Sequence, residues 1–454
     1  MNKIDQSIFK AYDIRGIYPD QINPDIAYAI AQGYASFLKP QNVVIGHDVR
    51  LHSEELKLSM VKGLVDAGVN VTDIGLISTE MLYFATGSYG FDGGIQVTAS
   101  HDSAEYHGAK FVKKDAEPIS SETGLCNIKE FVLSSKKVSS AQKGAIVQKD
   151  ILDDFCRCAL GWIDHKNIKS FKIVVDPNFG YQGTVLDRII KIGKLPLEII
   201  KLNYDADGNF PKGRPDPQTS ENQEEFTKKV LEASVDFGVT WDADGDRVFF
   251  ASKEGTFLDA YYTDTLLIQY MLEKYPKQKI VYDPRSIGAT VNAIKENGGV
   301  PILERVGHSF IKARMRSEDA IFSGEFSGHT YYKDFWYADS GIIPFLQILE
   351  ILSKSDLTLE QLIKPVMNKY FISGEINFLT DRTKEIMEAI EEKYSDSLVD
   401  RTDGISCQYP DWRFNIRTSN TGLQLLRLNV ESENKQLLGQ KLVELKEIIE
   451  PKIK

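Results

Sequence analysis

NVVIGHDVRLHSEELKLSMVKGLVDAGVNVTDIGLISTEMLYFAT, residues 42–86, switches twice between two kinds of pattern. Its first part, NVVIGHDVR (42–50), reads as an apolar strand running into a polar loop. A helix is expected from Ser53, a good N-cap residue, to about Asp66. Residues 70–86 then read as strand, loop and helix. Strands that alternate with helices in this way point to an α/β domain with a largely parallel or mixed sheet. Working outward, AYAIAQGYASFL (27–38) has the spacing of an amphipathic helix. On the other side, GIQVTASHDSAEYHGAKF (94–111) opens as a buried strand through Ile95 and Val97 and breaks into a small, polar turn from Thr98 to Ser103. Such loops at strand ends gather ligands. This one is expected to expose the Ser100 hydroxyl, with His101 beside it and Lys110 returning from the far side. A hydroxyl, an imidazole and an ammonium together suit a phosphate-handling or acyl-transfer nucleophile. A polar turn whose serine satisfies its own backbone is the plain alternative.

The α/β pattern recurs. FKIVVD (171–176), LEIIKL (197–202) and VDFGVTWDADGDRVFFAS (235–252) supply strands around helices in a second unit. KIVYD (279–283), PILERVGHSFIKARMRS (301–317) and AIFSGEFSGHTYY (320–332) do so in a third. Residues 115–150 are polar and read as connecting helices. After Pro365 the texture changes to strands read as antiparallel, with one helix among them and a closing helix from about Asn434. The expected organisation is α/β: three related mixed-sheet α/β domains at 1–150, 151–255 and 256–366, then a smaller α+β domain at 367–454.

The 454 residues are 42% hydrophobic, enough for several cores, and the net charge is −11. No Lys/Arg block stands out, so a nucleic-acid surface is not expected. An acidic chain that binds anions must do so through local cationic pockets. Four scattered cysteines do not make a disulfide framework, and Cys156 and Cys158 lack the second pair of a zinc site. The opening MNKIDQSIFKAYDIRG has no apolar signal-peptide core, and no apolar run is long enough to span a membrane. A cytoplasmic protein is expected.

Three more loops carry chemistry. DADGDR (242–247) sets Asp242, Asp244 and Asp246 at alternate positions, followed by Arg247. Such carboxylates repel one another unless a cation neutralises them, and oxygen-only ligands suit Mg2+ or Ca2+. An EF-hand is excluded because Arg247 and Lys253 stand where that loop needs Gly and Glu. GEFSGH (324–329) offers Glu325, Ser327 and His329 as partners for sugar hydroxyls. VGHS (306–309) adds His308, equally readable as a helix-capping or packing residue. RTSNTG (417–422) gathers Arg417, Ser419, Asn420 and Thr421, a guanidinium with hydroxyls and an amide that suits a phosphate. Arg15, in AYDIRG, is readable as a surface hairpin residue. Each loop alone could be an ordinary turn, but four complementary loops, one per domain, are unlikely to coincide by chance.

Together these motifs resemble the α-D-phosphohexomutases along essentially the whole chain. TASHDS (98–103) resembles that family's phosphoserine loop, DADGDR its Mg2+ loop, GEFSGH its sugar loop and RTSNTG its phosphate loop. AYDIRG and FPKGRPDP resemble further family segments. The stretches 334–350 and 411–432 are most similar to bacterial phosphomannomutases. The resemblance implies four domains around a central cleft, an isomerase that needs one Mg2+, and a hexose 1,6-bisphosphate intermediate. It implies that Ser100 is phosphorylated and joins the three aspartates in holding the metal, and that His101, Lys110 and Arg247 belong to the catalytic centre. Lys110 or His308 is expected to assist proton transfer. It assigns Arg15, Arg247, Arg285, His308, Glu325, Ser327, His329, Arg417, Ser419, Asn420 and Thr421 to substrate. The implied substrates are mannose phosphates, with glucose phosphates a second capacity and glucosamine phosphates less so. A sugar-phosphate-binding protein without turnover is the rival reading. The partners are hexose phosphates, with neither nucleic acid nor membrane, in a monomer or homodimer that serves GDP-mannose biosynthesis.

Several positions depart from the family pattern. Asp102 and Ser103 replace Asn–Pro, and the added charge beside a phosphoserine calls for compensation by the metal or Lys110. Arg285 stands where many relatives have lysine, Gly422–Leu423 replaces Glu–Pro, and Gly46–His47–Asp48 replaces Gly–Arg–Asp.

Overall fold

A computed structural model describes residues 4–419 and 424–453. The chain forms two compact units. One holds the residues up to Leu258 together with Gly328–Asp356; the other holds Asp259–Ser327 and the chain from Leu357 onward.

The first unit contains the strand–helix alternation read from residues 42–86. Its first sheet uses β1 (Ile14–Ile17), β2 (Asn42–His47), β3 (Asn70–Leu76), β4 (Gly93–Val97), β5 (Tyr106–Lys113) and β6 (Ile146–Gln148), in the order β1-β5-β4-β2-β3-β6. β2 runs parallel to β3 and β4, whereas β5 is antiparallel to β4 and β1. The sheet is therefore mixed. Helices α1 (Pro24–Leu38), α2 (Ser53–Asp66) and α3 (Thr79–Ser88) accompany it. Asn23 caps α1 by accepting from the Ile26 N–H, and Pro24 fills its first turn. Ile30 and Tyr34 of α1, Leu56 and Met60 of α2, and Val43, Ile45, Ile95 and Val97 of the strands share one core.

Two local expectations change here. Ser53 does not cap α2. It is the buried first helical residue, and its hydroxyl donates to Asp48 Oδ1 at 2.6 Å. Between 115 and 150 there is one α-helix, Cys126–Leu133, preceded by a short helical turn, Ser121–Leu125, and then the edge strand β6, all three of whose residues are exposed. An edge strand without a buried face carries no alternation to read.

A second sheet in this unit has the order β11-β10-β9-β7-β8, from β7 (Phe171–Asp176), β8 (Leu197–Lys201), β9 (Phe237–Trp241), β10 (Val248–Ser252) and β11 (Phe257–Leu258). β9 and β10 form an antiparallel hairpin, buried at every residue, and DADGDR is its connection. A strand pair, Thr330–Tyr332 with Ala338–Asp339, and the helix Ile342–Lys354 complete the unit.

In the second unit, β12 (Lys279–Tyr282) lies between β13 (Val300–Leu303) and β14 (Phe322–Gly324), parallel to both. The C-terminal sheet is antiparallel throughout, as its sequence suggested. Leu425–Ser432 pairs with Trp412–Thr418 on one side and with Phe371–Ile372 and Ile376–Leu379 on the other. The strands Leu398–Asp400 and Ile405–Gln408 were not read from the sequence, being short and placed outermost beside Trp412–Thr418. Helices Thr383–Lys393 and Lys435–Ile453 supply Ile386, Ile390, Leu445 and Ile449 to this sheet's core.

Candidate active site

β4 ends at Val97, and three residues later the chain turns sharply. Ser100 adopts a left-handed conformation, φ 52°, that side-chain-bearing residues seldom take. Its N–H donates to Thr98 Oγ1 at 2.9 Å. Arg50, just beyond β2, holds the turn from beneath. Its guanidinium donates to the carbonyls of Ser100 (2.6 Å), Ser103 (2.8 Å) and Tyr106 (2.9 Å), and to that of Asp102. One planar fork satisfying four carbonyls fixes the loop far more tightly than a lysine could.

The Ser100 hydroxyl is buried rather than exposed, at 1%. It points at the hairpin turn of the second sheet. Ser100 Oγ lies 3.0 Å from Asp244 Oδ1 and 3.5 Å from Asp242 Oδ2, with His101 Nδ1 at 3.1 Å on its other side. Asp242, Asp244 and Asp246 are all buried, with ligand atoms within 4.8 Å of one another. Gly245 takes φ 76° between them, and a Cβ there would meet Gln182.

Two cations stand against these three acids. Lys110, on β5, donates to Asp244 at 2.7 Å and Asp246 at 2.6 Å, and Arg247 Nε approaches Asp242 at 3.6 Å. Burial opposes the Lys110 charge, but Asp244 and Asp246 outweigh it and hold the group as an ammonium, above its usual range. Burial, reinforced by Asp244 and Asp246, pushes the Asp242 carboxyl well up. Burial also opposes ionisation of Asp246, yet Lys110 and His329 keep it well below the usual range. Burial, with Arg247 and Arg214 nearby, drives the His101 imidazole well below its ordinary value, so it is neutral at pH 7.

His329 lies against the acidic turn. Its Nε2 is 3.4 Å from Asp246 Oδ1 and 3.3 Å from Arg247 Nε. The unit boundary falls between Ser327 and Gly328, which divides the GEFSGH motif. Lys110 is engaged by Asp244 and Asp246, and two arginines stand beside Asp102. Arg15 bridges Asp13 (2.7 Å) and Asp102 (2.9 Å), and Arg214 of the FPKGRPDP segment lies 3.9 Å from Asp102 and donates to the His101 carbonyl.

Sequence reading missed a layer behind the site. Thr79, at the start of α3, places its hydroxyl 2.7 Å from Asp244 and 2.6 Å from Gln96. Glu80, fully buried, accepts from Gln182 at 2.6 Å, from the Ser340 hydroxyl and from the Ile342 N–H at 3.3 Å. Gln182 also donates to the Gly245 carbonyl at 2.8 Å, so Glu80 steadies the acidic turn through it. Burial pushes the Glu80 carboxyl up to about 7. Arg50 and Glu80 belong to no motif by type or spacing.

In the second unit, Arg285 donates to Asp283 at 2.7 Å and reaches Glu325 at 3.3 Å, fixing the carboxylate of the sugar loop. His308 opens the helix His308–Glu318, directly after β13 and its loop. Arg417 is buried and donates to Glu375 at 3.1 Å. Ser419 bonds through its backbone N–H to the Leu425 carbonyl at 2.9 Å. Asn420 and Thr421 lie outside the described residues.

Three family models match the chain: phosphoglucomutase/phosphomannomutase α/β/α domain I over residues 6–138, domain II over 153–255 and domain III over 259–370. The chain is 44% identical over 431 residues to a phosphomannomutase of Escherichia coli (strain K12), covering 93% of this chain and 94% of that one. It is 42% identical over 454 residues to a phosphomannomutase of Vibrio cholerae serotype O1, covering 97% and 98%. Among solved structures, a phosphoglucomutase/phosphomannomutase family protein from Burkholderia thailandensis superposes with a TM-score of 0.89 at 29% identity, over 99% of this chain and 98% of that one.

Proposed function

The chain belongs to the phosphoglucomutase/phosphomannomutase family and is a phosphohexomutase, an isomerase; from there we propose that it interconverts mannose 6-phosphate and mannose 1-phosphate through a phosphoserine at Ser100. The observation that carries this is the Ser100 hydroxyl, held 3.0 Å from Asp244 within a buried acidic triad. Relatives named phosphomannomutases support mannose as the sugar, and the double name of the matched family supports glucose phosphates as a second substrate.

Asp242, Asp244 and Asp246 fit one Mg2+. They offer only oxygen, and their ligand atoms converge within 4.8 Å of one another. The bound ion would supply positive charge against the oxygens of the migrating phosphoryl group. The chain's own groups do the rest. The Ser100 O–P bond breaks as phosphorus joins the free sugar hydroxyl, giving a hexose 1,6-bisphosphate. The proton leaving that hydroxyl needs an unprotonated acceptor, and the freed Ser100 oxygen must gain a proton. His101 is neutral and beside Ser100 Oγ, whereas Lys110 is held as an ammonium and serves as charge. After the bisphosphate turns over, its other phosphoryl group returns to Ser100. Arg15, Arg247, Arg285, His308, Glu325, Ser327, His329, Arg417, Ser419, Asn420 and Thr421 would serve the phosphate and sugar. Among the described residues no helix is long and apolar enough to cross a membrane, in keeping with a cytoplasmic enzyme acting on hexose phosphates.

Ser100→Ala tests this. It should abolish mutase activity in a coupled assay, leave the melting curve in place and remove the phosphoryl mass seen on the parent protein. Retention of most activity would refute the role. A higher kcat/KM for glucose 1-phosphate than for mannose 1-phosphate would reassign the preferred sugar.

A further inference from the structure

Arg417 of the phosphate loop shares its counter-ion with a second arginine. Glu375 accepts from Arg417 Nη2 at 3.1 Å through one carboxylate oxygen and from Arg427 Nη1 at 2.8 Å through the other. Arg417 and Arg427 stand directly opposite each other on the paired strands Trp412–Thr418 and Leu425–Ser432. Residues so paired share one face of the sheet, so a single carboxylate bridges two guanidiniums there.

The placement of Glu375 is built into the sheet. Phe371–Ile372 and Ile376–Leu379 both pair with Leu425–Ser432, and Glu375 closes the break between them. Ser373 ties that break to Val430: its N–H donates to the Val430 carbonyl and its hydroxyl accepts from the Val430 N–H, both at 2.9 Å. Gly374 then turns the chain at φ 68°, a conformation that favours glycine.

Burial opposes ionisation of Glu375, yet Arg285, Arg417 and Arg427 outweigh it and hold the carboxyl below its usual range. Arg285 is itself engaged by Asp283 at 2.7 Å and Glu325 at 3.3 Å. The other acid near Arg417 is Asp403, 3.9 Å from Nε; it accepts from the Val306 N–H at 3.0 Å, and burial pushes its carboxyl up. Glu375 is therefore the principal counter-ion of the arginine pair. Arg417 is buried and Glu375 and Arg427 are partly so, which leaves these charges weakly screened.

A phosphohexomutase must hold one phosphate of its substrate while the other reacts, then let go so that the bisphosphate can turn over. Two unopposed arginines bind a phosphate through several charge-assisted hydrogen bonds and release it slowly. We infer that Glu375 is a positioning residue that holds Arg417 and Arg427 as a pair and tempers their charge, so that the phosphate grip stays weak enough to release the bisphosphate. This rests on the reading of Arg417 as a phosphate-binding residue of a mutase and adds Glu375 and Arg427 to it.

The test titrates the full chain with inorganic phosphate by calorimetry in EDTA and follows mannose 1-phosphate turnover separately with Mg2+. Glu375→Gln keeps the side chain's length and removes its charge. It should bind phosphate roughly tenfold more tightly, because a like charge beside the bound anion is gone. KM and kcat should fall together, the mark of a tighter grip and slower release, whereas a purely structural role would raise KM. Glu375→Asp, which keeps the charge, should stay near the parent's affinity. Phosphate should raise the melting temperature of Glu375→Gln by more than the parent's, a comparison that holds even if the variant is less stable. Phosphate binding that is unchanged or weaker in Glu375→Gln, while Arg417→Gln abolishes it, would overturn the inference and leave the phosphate loop standing. Binding that survives Arg417→Gln would remove the phosphate reading of that loop and the inference with it. Neither result bears on Ser100, whose phosphoryl mass is read separately.

Discussion

Replacing Lys110 by methionine keeps most of the side chain's length and removes its charge. Lys110 is buried against Asp244 at 2.7 Å and Asp246 at 2.6 Å, so the substitution leaves the three buried acids with Arg247, 3.6 Å from Asp242, and His329, 3.4 Å from Asp246. Removing one partner of a buried ion pair costs about 3–5 kcal/mol, mostly as the penalty of the charges left behind. At about 2–4 °C per kcal/mol for a unit of this size, Lys110→Met should melt roughly 6–20 °C below the parent in EDTA. Mg2+ changes the comparison. If the aspartates hold the ion, it replaces the missing charge, and the gap between variant and parent should narrow when millimolar MgCl2 is added. Differential scanning fluorimetry in both buffers reads the two numbers. No measurable loss in EDTA would refute the electrostatic account of Lys110. A gap that Mg2+ leaves unchanged would refute the triad as the metal site.

Other outcomes follow from the same geometry. The folded Glu80 carboxyl titrates at about 7 against an ordinary value of 4.5, so the stability it contributes is fully present below pH 4.5 and lost as pH rises through 7. Glu80→Gln should remove that loss, about 2–3 kcal/mol across the window, so the parent's melting temperature, measured against the variant's from pH 5 to 8, should fall. Arg50→Lys cannot reach four carbonyls at once. It should speed hydrogen exchange in residues 100–106 and lower kcat on the order of tenfold to a hundredfold, by displacing Ser100. Asp102→Asn breaks a partly exposed pair with Arg15 and should change stability by no more than about 1 kcal/mol in urea unfolding.

What the residues announced by themselves were the strand–helix alternation, the antiparallel C-terminal strands and the loops at Ser100 and Asp242–Arg247. Those features are local: apolar period, turn chemistry and three carboxylates too close to stand without a cation. The burial of the Ser100 hydroxyl could not be read that way. It depends on β4 and the β9–β10 hairpin, which belong to different sheets and meet 142 residues apart in sequence. Nor could the roles of Arg50, Glu80 and Gln182, since a lone arginine or glutamate carries no pattern until folding decides which carbonyls or donors surround it. The same holds for His329, which shares a motif with Glu325 in sequence yet packs with Asp246. Sequence specifies which groups are available, while the folded chain sets their neighbours, and in a buried site it is the neighbours that fix charge, proton position and reach.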